Sequence, residues 1–268
     1  MLTILSKNCC DPSSLQSSVD AINQTEAVET RYAAAAGERE ACLCSPVSFN
    51  KKLLEVIPSN VIERDYGCGD PTCWVKSGDK VLDLGSGSGK NAFICAQLIG
   101  ASGEVIGIDR NQKMLTLARN AAPKVAKKLG FSNVSFYEGE IEFIDKIEIN
   151  NSRVISNSMI DIVLSNCVLN LVNPSNRNTL LENIRKVLKP SGRVAISDIV
   201  SNHSVPLSLQ KDPELWSGCI SGAWQEDKFL EDFRALGFQD VCFADRSNTP
   251  WKIVDGIEFR AVTLIGHL

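Results

Sequence analysis

Apolar positions from residue 80 onward follow two spacings in turn, and each change of spacing marks a new element. Short, mostly apolar runs predict strands over 80–84, 104–108, 134–137, 160–164 and 193–199. Between them, apolar residues recur at helical spacing over 91–99, 112–129 and 179–188, followed by Gly100, Gly130 and Lys189-Pro190-Ser191-Gly192. Strands that alternate with helices of this length predict a parallel sheet with helices on both faces.

The two ends of the chain show other patterns. Residues 1 to about 50 are polar and rich in serine and alanine, with one predicted helix over 28–36, which is typical of an arm or a lid. After a predicted helix over 227–236, apolar runs over 241–244 and 259–265 predict an antiparallel pair at the sheet edge. The asparagine- and serine-rich stretch over 150–158 predicts a surface loop.

The composition excludes several classes of protein. The chain has 268 residues, enough for one main domain, and its net charge of −4 with 22% charged residues gives no basic stripe for nucleic acid. No apolar run approaches the ~20 residues that cross a bilayer, and the apolar start of the chain is too short for a signal-peptide core. We therefore expect a soluble, cytoplasmic protein that binds neither nucleic acid nor a membrane.

The chain has ten cysteines, and the cytosol keeps thiols reduced, so chemistry, metal binding or burial must explain them rather than a disulfide framework. Close spacing occurs at Cys9-Cys10 and at Cys42-Leu43-Cys44, and the chain has only two histidines, so a structural zinc site is poorly supported. Free cysteine is often simply buried. We expect burial for Cys95 and Cys242. For Cys73 we favour burial or a neutral role over the alternative of a second redox partner.

A glycine loop, Gly85-Ser86-Gly87-Ser88-Gly89, joins the first predicted strand to the first helix after it. A glycine turn at this position also binds NAD, but the spacing here lacks the wider last gap of the pyrophosphate-binding version. Asp83 precedes the loop, and a carboxylate there repels a pyrophosphate but attracts the ammonium of a methionine-like ligand. Asp109, at the end of the second strand, can accept hydrogen bonds from both ribose hydroxyls. The loop therefore favours S-adenosylmethionine over NAD.

The remaining cofactor contacts are expected from segments that approach the same edge of the sheet. The loop after the third strand offers an apolar residue to cover the adenine and an acid to accept its amine, and the end of the fourth strand offers an amide to the amino-acid end. The residues predicted to bind the cofactor are Tyr66, Asp83, Gly85, Ser86, Gly87, Gly89, Asp109, Arg110, Met114, Gly139, Ile141, Glu142 and Asn166.

Two further segments are more specific than the glycine loop, namely Tyr66-Gly67-Cys68-Gly69-Asp70-Pro71 and Ser165-Asn166-Cys167-Val168-Leu169-Asn170-Leu171. Through them the chain resembles the arsenite methyltransferase family from about residue 32 onward. The resemblance implies a class I S-adenosylmethionine-dependent methyltransferase fold, an α/β Rossmann-like structure with a mostly parallel seven-stranded sheet. It divides the chain into N-terminal helices with redox cysteines (1–60), a cofactor-binding domain (61–202) and a C-terminal arsenic-binding subdomain with the last strands (203–268).

The resemblance also implies that Cys68, Cys167 and Cys219 hold trivalent arsenic, and that Cys42 or Cys44 forms a disulfide with Cys68. Arsenic(III) is soft and selects thiolates over oxygen ligands. Its lone pair is the expected nucleophile toward the sulfonium methyl group, so no general base is needed. The product must be reduced before another cycle, and two thiols can supply the electrons by closing a disulfide. We expect a small thiol such as glutathione, or thioredoxin, to recycle that disulfide, and a monomeric enzyme that takes arsenite or its thiol conjugates.

Other functions stay open at this point. A methyltransferase of selenium, tellurium or a small organic molecule would use the same cofactor loop, with the cysteines packed or used for redox control. A protein that captures arsenite without turnover would use the same pocket. Trp216, Trp224 and Trp251 are candidates for the wall of the acceptor pocket or for core packing. The sequence leaves open the number of methyl groups added, and whether the product serves detoxification or biosynthesis.

Overall fold

The structure, a computed structural model, describes residues 12–37 and 49–268, and for 12–23 the backbone alone. Within this part of the chain, short 3-10 turns connect the main elements. The helices are α1 (Pro12–Ala35), α2 (Lys51–Leu54), α3 (Ser59–Ile62), α4 (Lys90–Ile99), α5 (Gln112–Leu129), α6 (Arg177–Val187), α7 (Leu207–Gln210), α8 (Pro213–Ser217) and α9 (Glu226–Ala235). The strands are β1 (Lys80–Leu84), β2 (Glu104–Asp109), β3 (Val134–Glu138), β4 (Glu148–Ile149), β5 (Ser152–Arg153), β6 (Ile160–Asn166), β7 (Leu188–Ser201), β8 (Trp224–Gln225), β9 (Gln239–Arg246), β10 (Lys252–Val254) and β11 (Ile257–His267).

The main sheet has the strand order β3-β2-β1-β6-β7-β11, with β9 also paired to β11. The first five of these strands run parallel, and β11 is antiparallel to both β7 and β9. These seven strands confirm the predicted mostly parallel sheet of a class I methyltransferase. Two short strands extend it, since β8 pairs with the end of β7 and β10 pairs with β11.

Alternate residues of each central strand pack against different helices, as expected for a sheet covered on both faces. Val81 and Ile162 pack in the apolar cluster that includes α4 and α5. Leu82 and Val163 pack in the opposite cluster, which includes α6 and α9. The near-continuous apolar runs of the sequence therefore correspond to strands buried on both faces.

The strand order reverses at β1, which lies between β2 and β6. Loops that leave the carboxyl ends of such neighbouring strands diverge to opposite faces of the sheet and leave a crevice. Leu84 of β1 is in register with Ser165 of β6, and Asn166 with Ser197 of β7. The glycine loop and the segment around Cys167 therefore leave the sheet side by side.

Element boundaries differ from the prediction in three places. Helix α1 begins well before residue 28. Strand β7 begins at Leu188, so residues 189–192 lie within a strand and not in a separate turn. The pairing of β7 with β6 is irregular between Ile160 and Ile162. The predicted surface loop over 150–158 contains β5, which forms a hairpin with β4. The division of the chain at residues 60 and 202 stays a prediction.

No helix in the described ranges combines the length and the apolar character needed to cross a bilayer.

Candidate active site

A cavity of about 1020 Å³, measured to its open mouth, lies at the carboxyl ends of β1, β2 and β6. All of the predicted cofactor residues except Asp83 and Gly89 line it. Their role in holding S-adenosylmethionine stays a prediction, but the structure brings them to one wall.

The glycine loop is held against β2 by backbone hydrogen bonds. The N–H groups of Gly85 and Ser86 both donate to the carbonyl of Ile108, at 2.8 and 2.9 Å. Gly85 has φ +69°, and a side chain there would overlap Val168. The glycine is therefore required both by its left-handed backbone and by the close approach of the segment that follows Cys167.

Asp109 connects the loop to the end of β2. One carboxylate oxygen accepts from the Gly87 N–H at 2.8 Å and the other from the Asn111 N–H at 2.7 Å. Burial raises the pKa of Asp109 above its ordinary value, although these backbone donors oppose the rise. Each carboxylate oxygen keeps a further lone pair, so Asp109 can still accept hydrogen bonds from the hydroxyl groups of a ribose.

Asp83 and Gly89 lie behind the cavity wall. Burial, together with the negative charges of the nearby Asp109 and Asp65, raises the pKa of Asp83 to about 7, and Lys90 opposes the rise. Gly89 has φ +92°, and a side chain there would contact Phe136. Gly89 is thus needed for packing at the start of α4, and Asp83 lies beneath the loop.

Polar atoms without a partner support the fit of a polar cofactor. Ser86 and Asn91 line the cavity, and within the described residues the Ser86 Oγ and the Asn91 Oδ1 accept or donate no hydrogen bond. Buried polar atoms are normally paired, so these atoms suit a bound ligand with donors and acceptors of its own. The acid Asp109 and the apolar Ile141 and Met114 complete a wall that suits a nucleoside.

Helix α1 forms part of the cavity wall, a contribution that the sequence pattern did not predict. Val28, Glu29 and Tyr32 line the cavity. Glu29 forms an ion pair with Arg110 at 2.8 Å, and Arg31 donates to the Glu214 carbonyl at 3.1 Å. The pattern of α1 predicted a helix and a lid-like segment, but a mostly polar helix carries no signal for the surface on which it docks.

The three cysteines implied by the family motifs meet in a second pocket, of about 250 Å³, beside the first. Cys68 and Cys167 are joined by a disulfide with a Cα–Cα distance of 6.0 Å. The free thiol of Cys219 donates to the carbonyl of Cys167 at 3.1 Å. The other residues that line this thiol pocket are Tyr32, Tyr66, Ile199, Gly218 and Trp251.

The partner found for Cys68 differs from the one that the resemblance implied. Its sulfur is bonded to Cys167, not to Cys42 or Cys44, both of which lie outside the described residues together with Cys9 and Cys10. A pairing of Cys42 or Cys44 with Cys68 would therefore first require the Cys68–Cys167 bond to open.

Asn166 holds the turn that carries Cys68. Its Oδ1 accepts from the N–H groups of Cys68 and Gly69 at 2.9 and 3.3 Å, and its Nδ2 donates to the Gly69 carbonyl at 2.8 Å. Side chains at Gly67 and Gly69 would overlap Asn166 and Ser197. The glycines on either side of Cys68 thus let the turn approach β6 and β7. Asn166 also lines the cavity, so its predicted contact with the amino-acid end of the cofactor stays a prediction.

Cys167 and Cys219 both have φ +60°, a left-handed backbone that non-glycine residues seldom adopt. Such strain persists only where the surroundings enforce it, and it concentrates at functional sites. The Cys167 N–H donates to the Ser197 carbonyl at 2.8 Å. The Asn170 Nδ2 donates to the Cys219 carbonyl at 3.2 Å. These bonds aim both sulfurs at the same pocket.

The Cys219 thiol lies in an apolar setting. Burial raises its pKa well above the ordinary value, the nearby Asp198 raises it further, and Tyr32 and Arg31 lower it. Asp198 is itself buried, which raises its pKa to about 7, while backbone N–H groups of Ile199, Asn170 and Leu169 and the charge of Arg177 oppose the rise.

Of the remaining described cysteines and the three candidate tryptophans, one residue, Trp251, lines the thiol pocket. Cys95 is buried, as predicted, but the prediction for Cys242 was wrong, because β9 leaves that thiol exposed. Cys73 is exposed and donates to Asp70 at 3.4 Å. Among the three tryptophans, Trp251 lines the thiol pocket, whereas Trp216 and Trp224 are buried elsewhere.

In the described part of the chain, no set of three His, Cys, Asp or Glu side chains is arranged to hold a metal ion. Two of the three thiols are bonded to each other, so a three-thiolate site requires reduction of the Cys68–Cys167 disulfide.

The comparisons with known proteins agree with this geometry. A family model described as a methyltransferase domain matches residues 75–237. Arsenite methyltransferases from Aquipseudomonas alcaligenes and Halobacterium salinarum are 35% and 36% identical over 71% and 70% of this chain. These alignments cover 53% and 45% of the two relatives, so the chain spans about half the length of the curated relatives it matches.

A solved structure is also similar to this chain. The crystal structure of an arsenic(III) S-adenosylmethionine methyltransferase from Chlamydomonas reinhardtii superimposes with a TM-score of 0.71 at 31% identity. The match covers 82% of this chain and 74% of that one.

Proposed function

We propose that this chain, which belongs to the arsenite methyltransferase family, transfers a methyl group from S-adenosylmethionine to trivalent arsenic held by the thiolates of Cys68, Cys167 and Cys219. One observation carries the proposal. The large cavity and the thiol pocket share Tyr32, Tyr66 and Cys167 as lining residues. An acceptor held by the three sulfurs therefore lies next to a cofactor held in the large cavity.

The protein's part in the reaction is alignment and exclusion of water. Reduced Cys68, Cys167 and Cys219 would bind arsenic as a trigonal pyramid, since soft thiolates suit a soft acceptor. The strained backbones of Cys167 and Cys219 and the Asn166 bonds to the Cys68 turn hold the sulfurs in place. Holding both reactants in one orientation converts a bimolecular step into a unimolecular one.

The cofactor residues would hold S-adenosylmethionine beside this acceptor. When bound, S-adenosylmethionine supplies an electrophilic methyl group on a sulfonium. Asp109 would accept hydrogen bonds from the ribose hydroxyls, and the apolar side chains of Ile141 and Met114 would cover the nucleoside. The arsenic lone pair would form the new bond to the methyl carbon, and the electrons of the carbon–sulfur bond would stay on the sulfur that leaves. No side chain has to act as a general base.

The proximity of the Cys68 and Cys167 sulfurs supports a redox role for this pair. Loss of the arsenic lone pair leaves arsenic formally pentavalent, and its reduction needs two electrons. Two thiolates supply them when they close to a disulfide. An external thiol, glutathione or thioredoxin by class, would then reduce the Cys68–Cys167 bond. In this proposal the structure represents the oxidised state that ends a cycle.

The test is turnover of the reduced protein with arsenite, labelled S-adenosylmethionine and a thiol reductant, with arsenic species separated by chromatography and detected by mass. Cys167→Ser is the active-site variant. Cys242→Ser is its matched control, because Cys242 is an exposed thiol on β9 that lines neither cavity. Methylated arsenic from the parent and from Cys242→Ser, but not from Cys167→Ser, would support the proposal.

Two other outcomes would overturn it. Methyl transfer to a selenium, tellurium or organic acceptor, unaffected by Cys167→Ser, would assign the cofactor cavity to another methyltransferase reaction. Tight arsenite binding without formation of S-adenosylhomocysteine would make the chain an arsenite-binding protein.

A further inference from the structure

Tyr32 lies where the two cavities meet, and neither the family motifs nor the proposed chemistry uses it. It extends from α1 and lines both the cofactor cavity and the thiol pocket. Its ring packs edge-on against Tyr66, with centroids 6.2 Å apart. Its hydroxyl lies 3.8 Å from the Cys219 sulfur, within hydrogen-bonding range for sulfur.

The hydrogen bonds of Cys219 change when its sulfur binds arsenic. In the structure the thiol donates its proton to the Cys167 carbonyl at 3.1 Å. A sulfur bonded to arsenic has lost that proton, so the bond to the carbonyl is lost as well. A carbonyl oxygen cannot donate, whereas the Tyr32 hydroxyl can. Among the hydrogen bonds described for this sulfur, the one from Tyr32 therefore survives arsenic binding.

We infer that Tyr32 is a positioning residue for the third arsenic ligand: its hydroxyl holds the Cys219 sulfur in the orientation that completes the three-thiolate site. This inference rests on the proposed function. The position of Tyr32 is itself well defined, because α1 is tied to α8, the helix directly before Cys219. Arg31 donates to the Glu214 carbonyl and to the Ser217 hydroxyl, each at 3.1 Å.

The backbone of the Cys219 turn is held by hydrogen bonds that do not involve Tyr32, so the Tyr32 hydroxyl can be removed without removing those bonds. The Cys219 N–H donates to the Trp216 carbonyl at 3.0 Å, and its carbonyl accepts from Asn170. Removal of the Tyr32 hydroxyl should therefore leave the turn in place and release only the sulfur. The aromatic ring of phenylalanine would still separate the two cavities.

The experiment compares Tyr32→Phe with Tyr137→Phe, the same chemical change at a tyrosine on β3 that lines neither cavity. Reduced proteins are titrated with arsenite and, separately, with S-adenosylhomocysteine. We expect Tyr32→Phe to weaken arsenite binding about fivefold and to reduce the number of sulfur ligands seen by arsenic X-ray absorption from three toward two. S-adenosylhomocysteine affinity should stay within twofold of the parent, and Tyr137→Phe should match the parent throughout.

A double-mutant cycle with Cys219→Ser shows whether Tyr32 acts through that sulfur. In the Cys219→Ser background, Tyr32→Phe should have no further effect on arsenite affinity. Equal affinities of the parent and Tyr32→Phe, with Cys219→Ser weakened, would overturn this inference alone. An additive effect of the two substitutions would do the same. Failure of the parent to bind arsenite would overturn the proposed function and this inference together.

Discussion

The side chain of Asn166 makes three hydrogen bonds to the backbone of the turn that carries Cys68, although the two residues are 98 positions apart. Asn166 also directly precedes Cys167. One amide therefore ties the turn that carries Cys68 to the strand end that carries Cys167.

Replacing Asn166 by alanine should reduce activity by more than the accompanying loss of stability can account for. The backbone groups of Cys68 and Gly69 would lose buried partners, at a cost of about 1–3 kcal/mol in the free energy of unfolding. We expect kcat/KM for arsenite to fall at least tenfold, because the Cys68 sulfur is no longer held beside Cys167. Denaturant unfolding and arsenite turnover measure the two effects.

Asn133→Ala is the matched control for that variant. The Asn133 amide also bridges backbone carbonyls, those of Ala96 and Gly100, but it lies outside both cavities. A similar loss of stability with activity near the parent level is expected. If the two variants lost activity equally, the Asn166 amide would have no special role in the site.

A methyl group at Gly69 should disturb the thiol pocket without touching the cofactor cavity. An added Cβ would lie 2.5 Å from the Ser197 hydroxyl, so the turn carrying Cys68 must shift. Such overpacking costs about 1–3 kcal/mol. We expect Gly69→Ala to lower arsenite methylation about tenfold, whereas the Kd for S-adenosylhomocysteine changes less than twofold. Gly37→Ala serves as a milder comparison, because among the described residues its added Cβ would meet one atom, the Ala34 carbonyl oxygen at 3.3 Å, and no atom of either cavity's thiols. A larger loss in cofactor affinity than in arsenite turnover would contradict this assignment.

Arsenite binding should depend on the redox state of Cys68 and Cys167. With the disulfide closed, two of the three sulfurs cannot bind arsenic. We expect the oxidised protein to bind arsenite at least tenfold more weakly than the reduced protein. Peptide mapping of the oxidised protein should recover the two segments linked by one disulfide. Equal affinity in both states would show that arsenic binds elsewhere. Cys242→Ser should behave as the parent does.

Stability should fall as the pH rises from about 4 to about 7, partly because of Asp83. Its folded-state pKa is raised to about 7, chiefly by burial. In this range the unfolded chain has released the Asp83 proton and the folded chain has kept it, so rising pH favours unfolding. At about 1.4 kcal/mol per pKa unit, the whole contribution is on the order of 4 kcal/mol and is lost by pH 7.

Asp83→Asn isolates that contribution, because the amide does not titrate. Asp198, whose pKa is also raised to about 7 by burial, remains in both proteins and cancels in the comparison. Urea unfolding at several pH values should show a shallower decline for the variant than for the parent. Parallel curves would mean that Asp83 is ionised in the folded protein.

Local sequence patterns determined the order of the strands and helices. The apolar runs of β1, β2 and β6 and the helical spacing of α5 are properties of neighbouring residues, and the structure places these elements within a few residues of the predicted ranges. The glycine loop after β1 is equally local, because it depends on backbone freedom at Gly85 and Gly89. The sequence therefore determined the fold class and the edge of the sheet where the site lies.

The tertiary structure decided which groups meet at that edge. Motif resemblance indicated three cysteines, but only the folded chain shows Cys68 bonded to Cys167, the Asn166 amide occupied by the Cys68 turn, and Tyr32 of α1 beside Cys219. It also exposes Cys242, which its strand pattern had predicted to be buried. These contacts join residues far apart in sequence. They depend on how helices and turns pack against one another. The spacing of apolar residues within one element does not indicate which other element it will contact.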